Sequence, residues 1–533
     1  MPMLTQTGLE SEILKRRTFA IISHPDAGKT TLTEKLLLYS DVLNTAGMVA
    51  GRKGRKGAHS DWMSMERERG ISITASAMQF HYKDKVINIL DTPGHEDFSV
   101  DTYRTLTAAD CAIMVIDAAK GVEKQTIKLF EACRLRKIPV MTFVNKMDMP
   151  GLDPIDLLNE VEKVLGILAT PMNWPIGGGK EFKGVFDRRE NQLIVFEKTA
   201  AGGAKKAFMH KASKEELSKY LSPLEISQLG SDLELLDMAG NPFSLDQFLQ
   251  AKLSPVFFGS ALTNFGVEPF FDAFIAMAPS PKPYEALDNA GKAVFIDPIE
   301  SPFSAYCFKL QANLDKHHRG VTAFFRIVSG LFEKDMLVLN HRLKTSTRIS
   351  RPSQLSGSDQ VTIESAVAGD IIGIASNGSL QINDTISTTK GGFRFKPLPQ
   401  FQPEFFARIR PKEVSGRKSF DKGCEQLSNE GAILLLKEES SPDPIFAAVG
   451  RLQFEVLEWR LRDEYNVETT ITPLSFQCSA WLVGDLKTFK KNTTAILAFD
   501  QEKRPIVLFQ STWEKEYAIK QNPHHKLVDI LET

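Results

Sequence analysis

Cysteine is scarce in this sequence, and no two cysteines form a C-x-x-C pair. Among the 533 residues, the five cysteines are too scattered for a disulfide framework or a zinc-finger pattern. No apolar run approaches the roughly 18 residues that a membrane-spanning helix needs, and residues 1–18 carry charged side chains without an apolar segment. We therefore expect a reducing compartment, no secretory signal and no membrane association, which together predict a cytoplasmic location.

An excess of charge of one sign is also missing. The sequence has 65 lysine and arginine residues against 66 aspartate and glutamate residues, a formal net charge of −1. This balance excludes a uniformly basic coat for nucleic acid, although it leaves room for local basic patches. The 42% of hydrophobic and 25% of charged residues are typical of a globular chain, whose length at about 150 residues per domain predicts three or four domains.

Short apolar runs alternate with helical stretches in residues 1–280. The runs are rich in β-branched residues and do not alternate with polar ones, which is typical of a parallel sheet covered on both faces. We predict strands at 18–23, 86–91, 111–117, 138–145 and 255–260. This order predicts an α/β domain with a doubly wound, mostly parallel sheet. Because the last gap is far too long for one helix and two loops, we also expect an inserted subdomain at approximately 170–250.

Two proline-rich segments divide the rest of the chain. Residues 278–283 and 396–403 are predicted linkers, because proline restricts its own backbone and that of the preceding residue. Residues 285–392 contain short apolar or alternating runs with turn residues, which predict a β-barrel domain. Residues 398–533 mix strands with a helix at about 450–465, which predicts an α+β C-terminal domain.

The stretch 23–31 follows the first predicted strand and opens a helix. It fits the pattern G-x-x-x-x-G-K-[ST], except that a serine replaces the first glycine. Backbone N–H groups at a helix N-terminus bind phosphates, glycine permits close approach, lysine adds charge, and a threonine hydroxyl can bind Mg²⁺. The alternative for Gly-Lys-Thr alone is an ordinary helix start. The predicted phosphate-binding residues are Ser23, His24, Pro25, Asp26, Ala27, Gly28, Lys29, Thr30 and Thr31.

Asp91, Thr92, Pro93 and Gly94 follow the next strong strand. A carboxylate at the carboxyl edge of a parallel sheet, beside a phosphate loop, is placed to hold Mg²⁺ through water. The glycine offers a backbone amide to a γ-phosphate without a Cβ in the way. Thr-Pro-Gly alone would be a simple turn, but its place after a phosphate loop favours nucleotide binding.

Asn145, Lys146, Met147 and Asp148 follow the predicted strand 138–145. A carboxylate can accept hydrogen bonds from the N1–H and 2-amino groups of guanine, whereas adenine offers neither donor, so the site would reject ATP. The alternative is a polar strand end, and guanine selectivity follows only from the series of motifs. After the last predicted strand, Ser260, Ala261 and Leu262 would add backbone contacts to the base.

These motifs, in this order, resemble those of the translational GTPases, in the elongation-factor-G-like group. The stretches that carry the resemblance are SHPDAGKTT, RGISIT, DTPGHEDF, NKMD and GSAL. The resemblance covers nearly the whole chain, is strongest over residues 15–150, and within the family is closest to the branch that acts in translation termination. The segment AAVGRLQFEVLEWRLRDEYNVE is similar to the third domain of elongation factor G.

The resemblance implies site roles that the residue pattern alone does not give. Ser72 lies where the family usually has a Mg²⁺-binding threonine, so the implied metal residues are Thr30, Ser72 and, through water, Asp91. His95 would be the catalytic residue that positions the attacking water, with Pro25 and Ile71 as apolar neighbours. The implied cofactors are GTP or GDP and Mg²⁺.

The resemblance also implies a ribosome-stimulated GTPase that hydrolyses GTP to GDP and phosphate and is monomeric. Its partners would be ribosomal RNA and ribosomal proteins, and it would promote dissociation of class-one release factors after peptide release. Three alternatives stay open: an elongation-factor-G-like translocase, a ribosome-assembly GTPase and an ATP-dependent P-loop kinase. The translocase is disfavoured by the short chain after residue 468, and the ribosome-assembly GTPase by the presence of His95. The kinase is disfavoured by the NKMD motif.

Two basic segments fall outside the nucleotide motifs. One is 51–57, with the sequence GRKGRKG, and the other consists of Arg408, Arg410, Lys412, Arg417 and Lys418. Arginine and lysine gain by neutralising phosphates, so each segment is a candidate for contact with ribosomal RNA. The alternative is a solvated loop or surface.

Overall fold

The computed structural model describes residues 6–40, 76–92, 99–197, 205–312, 321–356, 359–376, 378–389, 392–397, 400–438, 441, 443–491 and 494–531. Among the helices in these ranges, none combines the length and the apolar character needed to cross a membrane.

The first 280 residues contain eleven strands and eight α-helices in the part of the chain that is described. The strands are β1 Arg16–Ser23, β2 Ser76–Tyr82, β3 Lys85–Asp91, β4 Cys111–Asp117, β5 Val140–Asn145, β6 Leu168–Pro171, β7 Asn173–Ile176, β8 Gly184–Asp187, β9 Gln192–Glu197, β10 Phe208–Ser213 and β11 Leu253–Phe258. The helices are α1 Gln6–Lys15, α2 Lys29–Tyr39, α3 Ser99–Thr107, α4 Lys124–Leu135, α5 Pro154–Leu165, α6 Pro223–Ala239, α7 Leu245–Leu249 and α8 Val267–Met277.

Seven of these strands form one sheet in the order β2-β3-β1-β4-β5-β11-β6. All neighbours in it are parallel except β2 and β3. Apolar side chains fill both faces, and every residue of β4 is buried, which explains why its sequence shows no alternation. The predicted doubly wound α/β fold is confirmed. The edge strand β6 joins this sheet although the sequence analysis did not predict it.

The insertion between β6 and β11 carries its own antiparallel sheet, in the order β10-β9-β8-β7. Helix α6 of the insertion begins with a capping box. The Ser222 hydroxyl accepts from the Glu225 N–H, and the Glu225 carboxylate accepts from the Ser222 N–H. The Trp174 indole donates to Asp232 at 2.9 Å and joins the sheet to that helix. The charged segment Lys214–Lys219 of the insertion forms a short 3₁₀ helix.

The next group of strands builds the predicted barrel-like domain. These are β12 Tyr284–Asp288, β13 Ala293–Ile296, β14 Ser304–Ala312, β15 Val321–Ser329, β16 Leu331–Glu333, β17 Leu337–Asn340, β18 Thr345–Arg348, β19 Pro352–Ser356, β20 Asp359–Thr362, β21 Ser365–Val367, β22 Ile371–Ser376, β23 Thr385–Ser387 and β24 Phe393–Phe395. Eight of them form one sheet in the order β18-β17-β23-β14-β15-β22-β19-β20. Ile13 of α1 is buried in the core of this domain, so the first helix packs far from its neighbours in sequence.

The last group mixes strands and helices. The strands are β25 Gln400–Phe401, β26 Phe405–Pro411, β27 Leu434–Glu438, β28 Ile445–Ala448, β29 Thr469–Pro473, β30 Cys478–Val483, β31 Ile496–Phe499, β32 Pro505–Phe509, β33 Lys526–Val528 and β34 Ile530–Leu531. The helices are α9 Arg417–Asn429, α10 Leu452–Tyr465 and α11 Thr512–Gln521. One face of α10, formed by Phe454, Leu457 and Leu461, packs in a core with α9 and the sheet.

Candidate nucleotide-binding site

The candidate residues lie at the carboxyl edge of the seven-stranded sheet. Strands β1, β3, β5 and β11 run in the same direction there, and each ends in a loop that carries one of the predicted motifs. Ligands of open α/β sheets bind outside this edge, because the loops between strands and helices converge there. The fold therefore brings together segments that are up to 230 residues apart, roughly the span from the first motif to the last.

The first loop turns tightly between β1 and α2. Asp26 and Gly28 both have positive φ, 66° and 97°. A Cβ on Gly28 would overlap the amide nitrogen of Asn145, so this position needs glycine for its backbone angle and for its closest neighbour. Helix α2 begins at Lys29, directly after the turn, and its first backbone N–H groups therefore lie at the loop.

Lys29 and Asp91 form a buried ion pair that joins the first loop to the end of β3. Their side chains are only 6% and 2% exposed. The neighbouring Thr92 hydroxyl donates to the Ile21 carbonyl at 2.6 Å and fixes the start of the next loop against β1. A cation and an anion therefore stand side by side at the point where the sequence predicts phosphate and Mg²⁺.

Asn145 connects three of the four loops. Its amide nitrogen donates to the Ala27 carbonyl at 2.8 Å, and its amide oxygen accepts from the Ala261 N–H at 2.8 Å. The side chain is 2% exposed, so both hydrogen bonds are shielded from water. Because one side chain binds the first loop and the last, the relative position of the two depends on it.

The residues after Asn145 are held by neighbours that the sequence analysis did not identify. The Lys146 ammonium pairs with Asp117, at the end of β4, at 2.8 Å. The Met147 N–H donates to the Gly259 carbonyl at 3.1 Å, and its own carbonyl accepts from the Gly179 N–H at 2.9 Å. The sequence could have identified Asp117, because it is a carboxylate at the end of a buried strand. That strand, β4, lies next to β5, which leads into the motif.

Two buried polar atoms of the site have no hydrogen-bond partner within the described protein. They are the Oδ1 atom of Asp148 and the hydroxyl of Ser23. A buried acceptor without a partner costs free energy unless a ligand satisfies it. The Asp148 oxygen is the acceptor that would distinguish guanine from adenine, and its chemistry fits the N–H donors of that base.

His24 adds a polar contact at the outer side of the first loop. Its Nε2 atom lies 2.6 Å from the Glu123 carboxylate and 3.2 Å from the Lys120 ammonium. Burial lowers the pKa of His24, and the Glu123 carboxylate opposes this shift. Both neighbours come from the loop between β4 and α4.

The remaining predicted residues occupy different positions. Ser260 is fully buried and accepts from the Thr263 N–H at 3.2 Å, which shapes the loop after β11. Leu262 is 61% exposed, so its side chain lies outside the close contacts of the site. Pro93, Gly94, His95 and Ser72, with Ile71 and the basic segment 51–57, lie outside the described residues.

The second basic segment is largely neutralised by carboxylates. Arg408 pairs with Glu438 at 3.0 Å, Arg410 with Asp443, Lys412 with Glu468 at 3.0 Å, and Arg417 with Asp421 at 3.0 Å. The partners of the first three come from other strands and loops, so the sequence run alone overstated the positive charge. Four of its five cations are therefore already paired.

Comparison with known families agrees with this arrangement. Residues 14–280 match the elongation factor Tu GTP binding domain, and residues 302–389 match elongation factor G domain 2. Residues 395–519 match the class II release factor RF3, C-terminal domain. The fold and the site thus define a translational GTPase, an enzyme that binds guanine nucleotides.

Relatives over nearly the full length identify the branch. The chain is 48% identical to a peptide chain release factor 3 of Symbiobacterium thermophilum, over 97% of this chain and 97% of the relative. It is also 48% identical to one of Gloeobacter violaceus, over 98% of each chain. The chain belongs to the peptide chain release factor 3 family.

A solved structure of a protein from Thermus thermophilus shares the fold. It is 20% identical in sequence and superposes with a TM-score of 0.68, over 91% of this chain and 72% of that chain.

Proposed function

We propose that this protein is a ribosome-stimulated GTPase of translation termination, which uses hydrolysis of GTP to GDP and phosphate to promote dissociation of class-one release factors. The observation that supports the proposal most strongly is that the buried Asn145 side chain ties its own loop to the first and last loops, in a chain of the release factor 3 family. We further propose that it acts in the cytoplasm as a monomer, in contact with ribosomal RNA and ribosomal proteins.

In this proposal each loop has one part of the nucleotide to bind. Residues 23–31 surround the phosphates with backbone N–H groups, and Lys29 supplies a positive charge to the outer phosphates. Asp148 accepts from guanine, while the buried Asn145 side chain and the Ala261 backbone hold the base pocket in place. Lys146, fixed by Asp117, leaves its aliphatic part available beside the base.

The donor set also fits a magnesium ion. Oxygen ligands are what Mg²⁺ prefers, and Thr30, Ser72 and Asp91 would hold it, the last through water. The Asp91 carboxylate is buried and pairs with the Lys29 ammonium, which fixes it at the phosphate end of the site. When bound, the ion would neutralise charge that develops on the phosphates.

His95 is proposed to position the attacking water. It follows Asp91 by four residues in the sequence. The helix after this loop, α3, contacts both other domains. Asp101 lies 3.6 Å from Lys309 of the second domain, and Arg104 donates to the Glu430 carbonyl of the third at 3.2 Å. Loss of the γ-phosphate would therefore act, through the loop that carries His95, on a helix that contacts all three domains.

The proposed role is tested on ribosomes that hold a class-one release factor after peptide release. Addition of this protein with GTP should accelerate departure of a fluorescently labelled factor, measured by stopped flow. A translocase would instead move transfer RNA and messenger RNA on elongating ribosomes, so the same preparation is assayed for translocation. Translocation without release-factor departure would contradict the proposal and favour the elongation-factor-G-like alternative.

A second experiment addresses the catalytic role of His95. The His95→Ala variant should bind GTP nearly as well as the parent protein, but its ribosome-stimulated hydrolysis should fall by at least 10²-fold, roughly the contribution of a positioned proton-transfer group. His210→Ala is the matched control, because His210 is an exposed histidine of the inserted subdomain paired with Glu197. Equal loss of binding and hydrolysis in His95→Ala would refute the proposed role.

A further inference from the structure

The third domain carries a second basic surface, at the end of α11, that the sequence analysis did not single out. We call it the C-terminal basic patch. It consists of the exposed residues Trp513, Tyr517, Lys520, Lys526, Lys487, Lys490 and Lys491.

The loop that carries three of these lysines is fixed to the end of the helix. The Asn522 side chain accepts from the Lys490 N–H at 2.8 Å and donates to the Lys490 carbonyl at 3.0 Å. His525 lies 2.9 Å from the Asp485 carbonyl and 3.1 Å from the Thr488 hydroxyl. The loop that carries Lys487, Lys490 and Lys491 is therefore held against the carboxyl end of α11.

The segment from Arg408 to Lys418 is largely neutralised by ion pairs with carboxylates, whereas the C-terminal basic patch is not neutralised by the described residues. None of its five lysines forms an ion pair with a described residue, whereas Lys412 and Lys515 of the same domain pair with Glu468 and Asp529. The nearby exposed acids that form no ion pair with a described residue are Asp485 and Glu516, since Asp529 pairs with Lys515. Five lysines against two acids leave a net positive surface that attracts an anionic partner.

The aromatic side chains add a second property. Trp513 and Tyr517 lie one helical turn apart and stack in parallel, with ring centroids 5.4 Å apart and an angle of 11°. Trp513 is 69% exposed and Tyr517 40% exposed. Lys520 follows on the same face of the helix at the next turn. A flat aromatic stack with Lys520 on the same helix face offers base stacking and a phosphate contact together.

We propose that the C-terminal basic patch binds single-stranded RNA, with the lysines on the phosphates and a base stacked on Trp513. Recognition of single-stranded RNA typically combines these two contacts. The surface chemistry stands apart from the nucleotide site, and only the choice of RNA rests on the proposed role in translation. Binding of GDP by the same variants separates a failure here from a failure of that role.

The test uses the full chain and a short fluorescently labelled single-stranded oligoribonucleotide of mixed sequence, measured by anisotropy at several salt concentrations. Lys490→Ala/Lys491→Ala should weaken binding roughly tenfold and reduce the salt slope by about 1.4 units, because two phosphate contacts are lost at about 0.7 units each. The matched control, Lys334→Ala/Lys412→Ala, removes the same charge from two lysines that pair with glutamates. It should bind within about twofold of the parent.

A second pair of variants tests the stacking contact. Trp513→Ala should weaken binding roughly tenfold, whereas Trp513→Phe, which keeps an aromatic face, should retain most of the affinity. Trp513 is exposed, so neither change should lower the thermal unfolding temperature noticeably. Undetectable RNA binding at low salt, an equal loss in the paired-lysine control, or full affinity in Trp513→Ala would each overturn the proposal.

Discussion

At the scale of single residues, Asn145 ties together the first and last loops of the candidate nucleotide site. Its one amide group satisfies the Ala27 carbonyl and the Ala261 N–H, both buried, and its nitrogen lies where a Cβ on Gly28 would stand. Removing it leaves a donor and an acceptor unpaired on two different loops. Such groups cost about 1–3 kcal/mol each in a protein interior.

Asn145→Ala should therefore weaken binding of GDP and GTP by roughly 10- to 100-fold, because the first and last loops lose their common tie. The measurement is titration with a fluorescent GDP analogue. Asn173→Ala is the matched control, since the Asn173 side chain also makes two buried hydrogen bonds, to the N–H and carbonyl of Phe258 at 2.7 and 3.0 Å. It should lose stability but keep most of the affinity; equal affinity losses would contradict the account.

At the scale of elements, α2 is unusual because it buries polar side chains along with its apolar ones. Lys35 is 4% exposed in the middle of this helix. Burial lowers the pKa of Lys35 to about 8, and the Glu34 carboxylate opposes that shift. The folded protein therefore releases this proton at lower pH than the unfolded chain.

The sign of the resulting pH dependence follows from proton counts. Below pH 8 the lysine is charged in both states, and the folded state bears the net cost of burying the charge. Between pH 8 and about 10.5 the unfolded chain holds more protons, so stability rises with pH. Lys35→Met should be more stable than the parent at pH 7, by about 3 kcal/mol at most, with the difference closing toward pH 10.5. Chemical denaturation across this range checks it, and parallel curves would contradict it.

Elements differed in how well the sequence predicted them. Strand β4 was predicted with its observed bounds and β1 within two residues, because each is a continuous apolar run buried on both faces. Strand β6 was missed, since LATP carries little strand signal and is held by its parallel partner β11. Helix α1 was also missed, because the barrel-like core that buries Ile13 lies roughly 290 residues or more further along the chain.

At the scale of the whole molecule, a buried polar cluster joins the first two domains. Arg326 of the second domain pairs with Asp110 at 2.6 Å and donates to the Thr18 hydroxyl at 2.7 Å. It also donates to the Gly369 carbonyl, which accepts from Thr18 at 2.7 Å. Thr18 lies in β1, which leads into the phosphate loop. The interface between the two domains therefore includes the strand before that loop.

Arg326→Leu should destabilise the protein by about 3–5 kcal/mol, because it leaves the Asp110 carboxylate buried without its partner. Burial raises the pKa of Asp110, and the Arg326 guanidinium opposes this. The double variant Arg326→Leu/Asp110→Leu should regain most of the loss, since no unpaired charge remains. Thermal unfolding of both variants measures this, and a double variant as unstable as the single one would contradict it.

Ion pairs between residues that are distant in the sequence also limited how well the surface charge could be predicted. The segment from Arg408 to Lys418 looked strongly basic, yet Glu438, Asp443 and Glu468 reach it through the fold. The lysines of the C-terminal basic patch come from two separate stretches that Asn522 and His525 hold together. The candidate motifs could be recognised in the sequence because each is a contiguous loop after a buried strand. The hydrogen bonds of Asn145 and the pairing of Lys146 with Asp117 required the structure.

The central claim is that these loops form a guanine-nucleotide site in which Asp148 reads the base. The most direct measurement compares the affinities of Asp148→Asn and the parent protein for GDP and xanthosine diphosphate, with Asp156→Asn, an exposed aspartate of α5, as the control. We predict that Asp148→Asn loses roughly 100-fold in GDP affinity and gains affinity for xanthosine diphosphate. The asparagine amide nitrogen is a donor where the carboxylate oxygen is an acceptor, and xanthine has an oxo group where guanine has its 2-amino group. Unchanged GDP affinity in Asp148→Asn would contradict the claim.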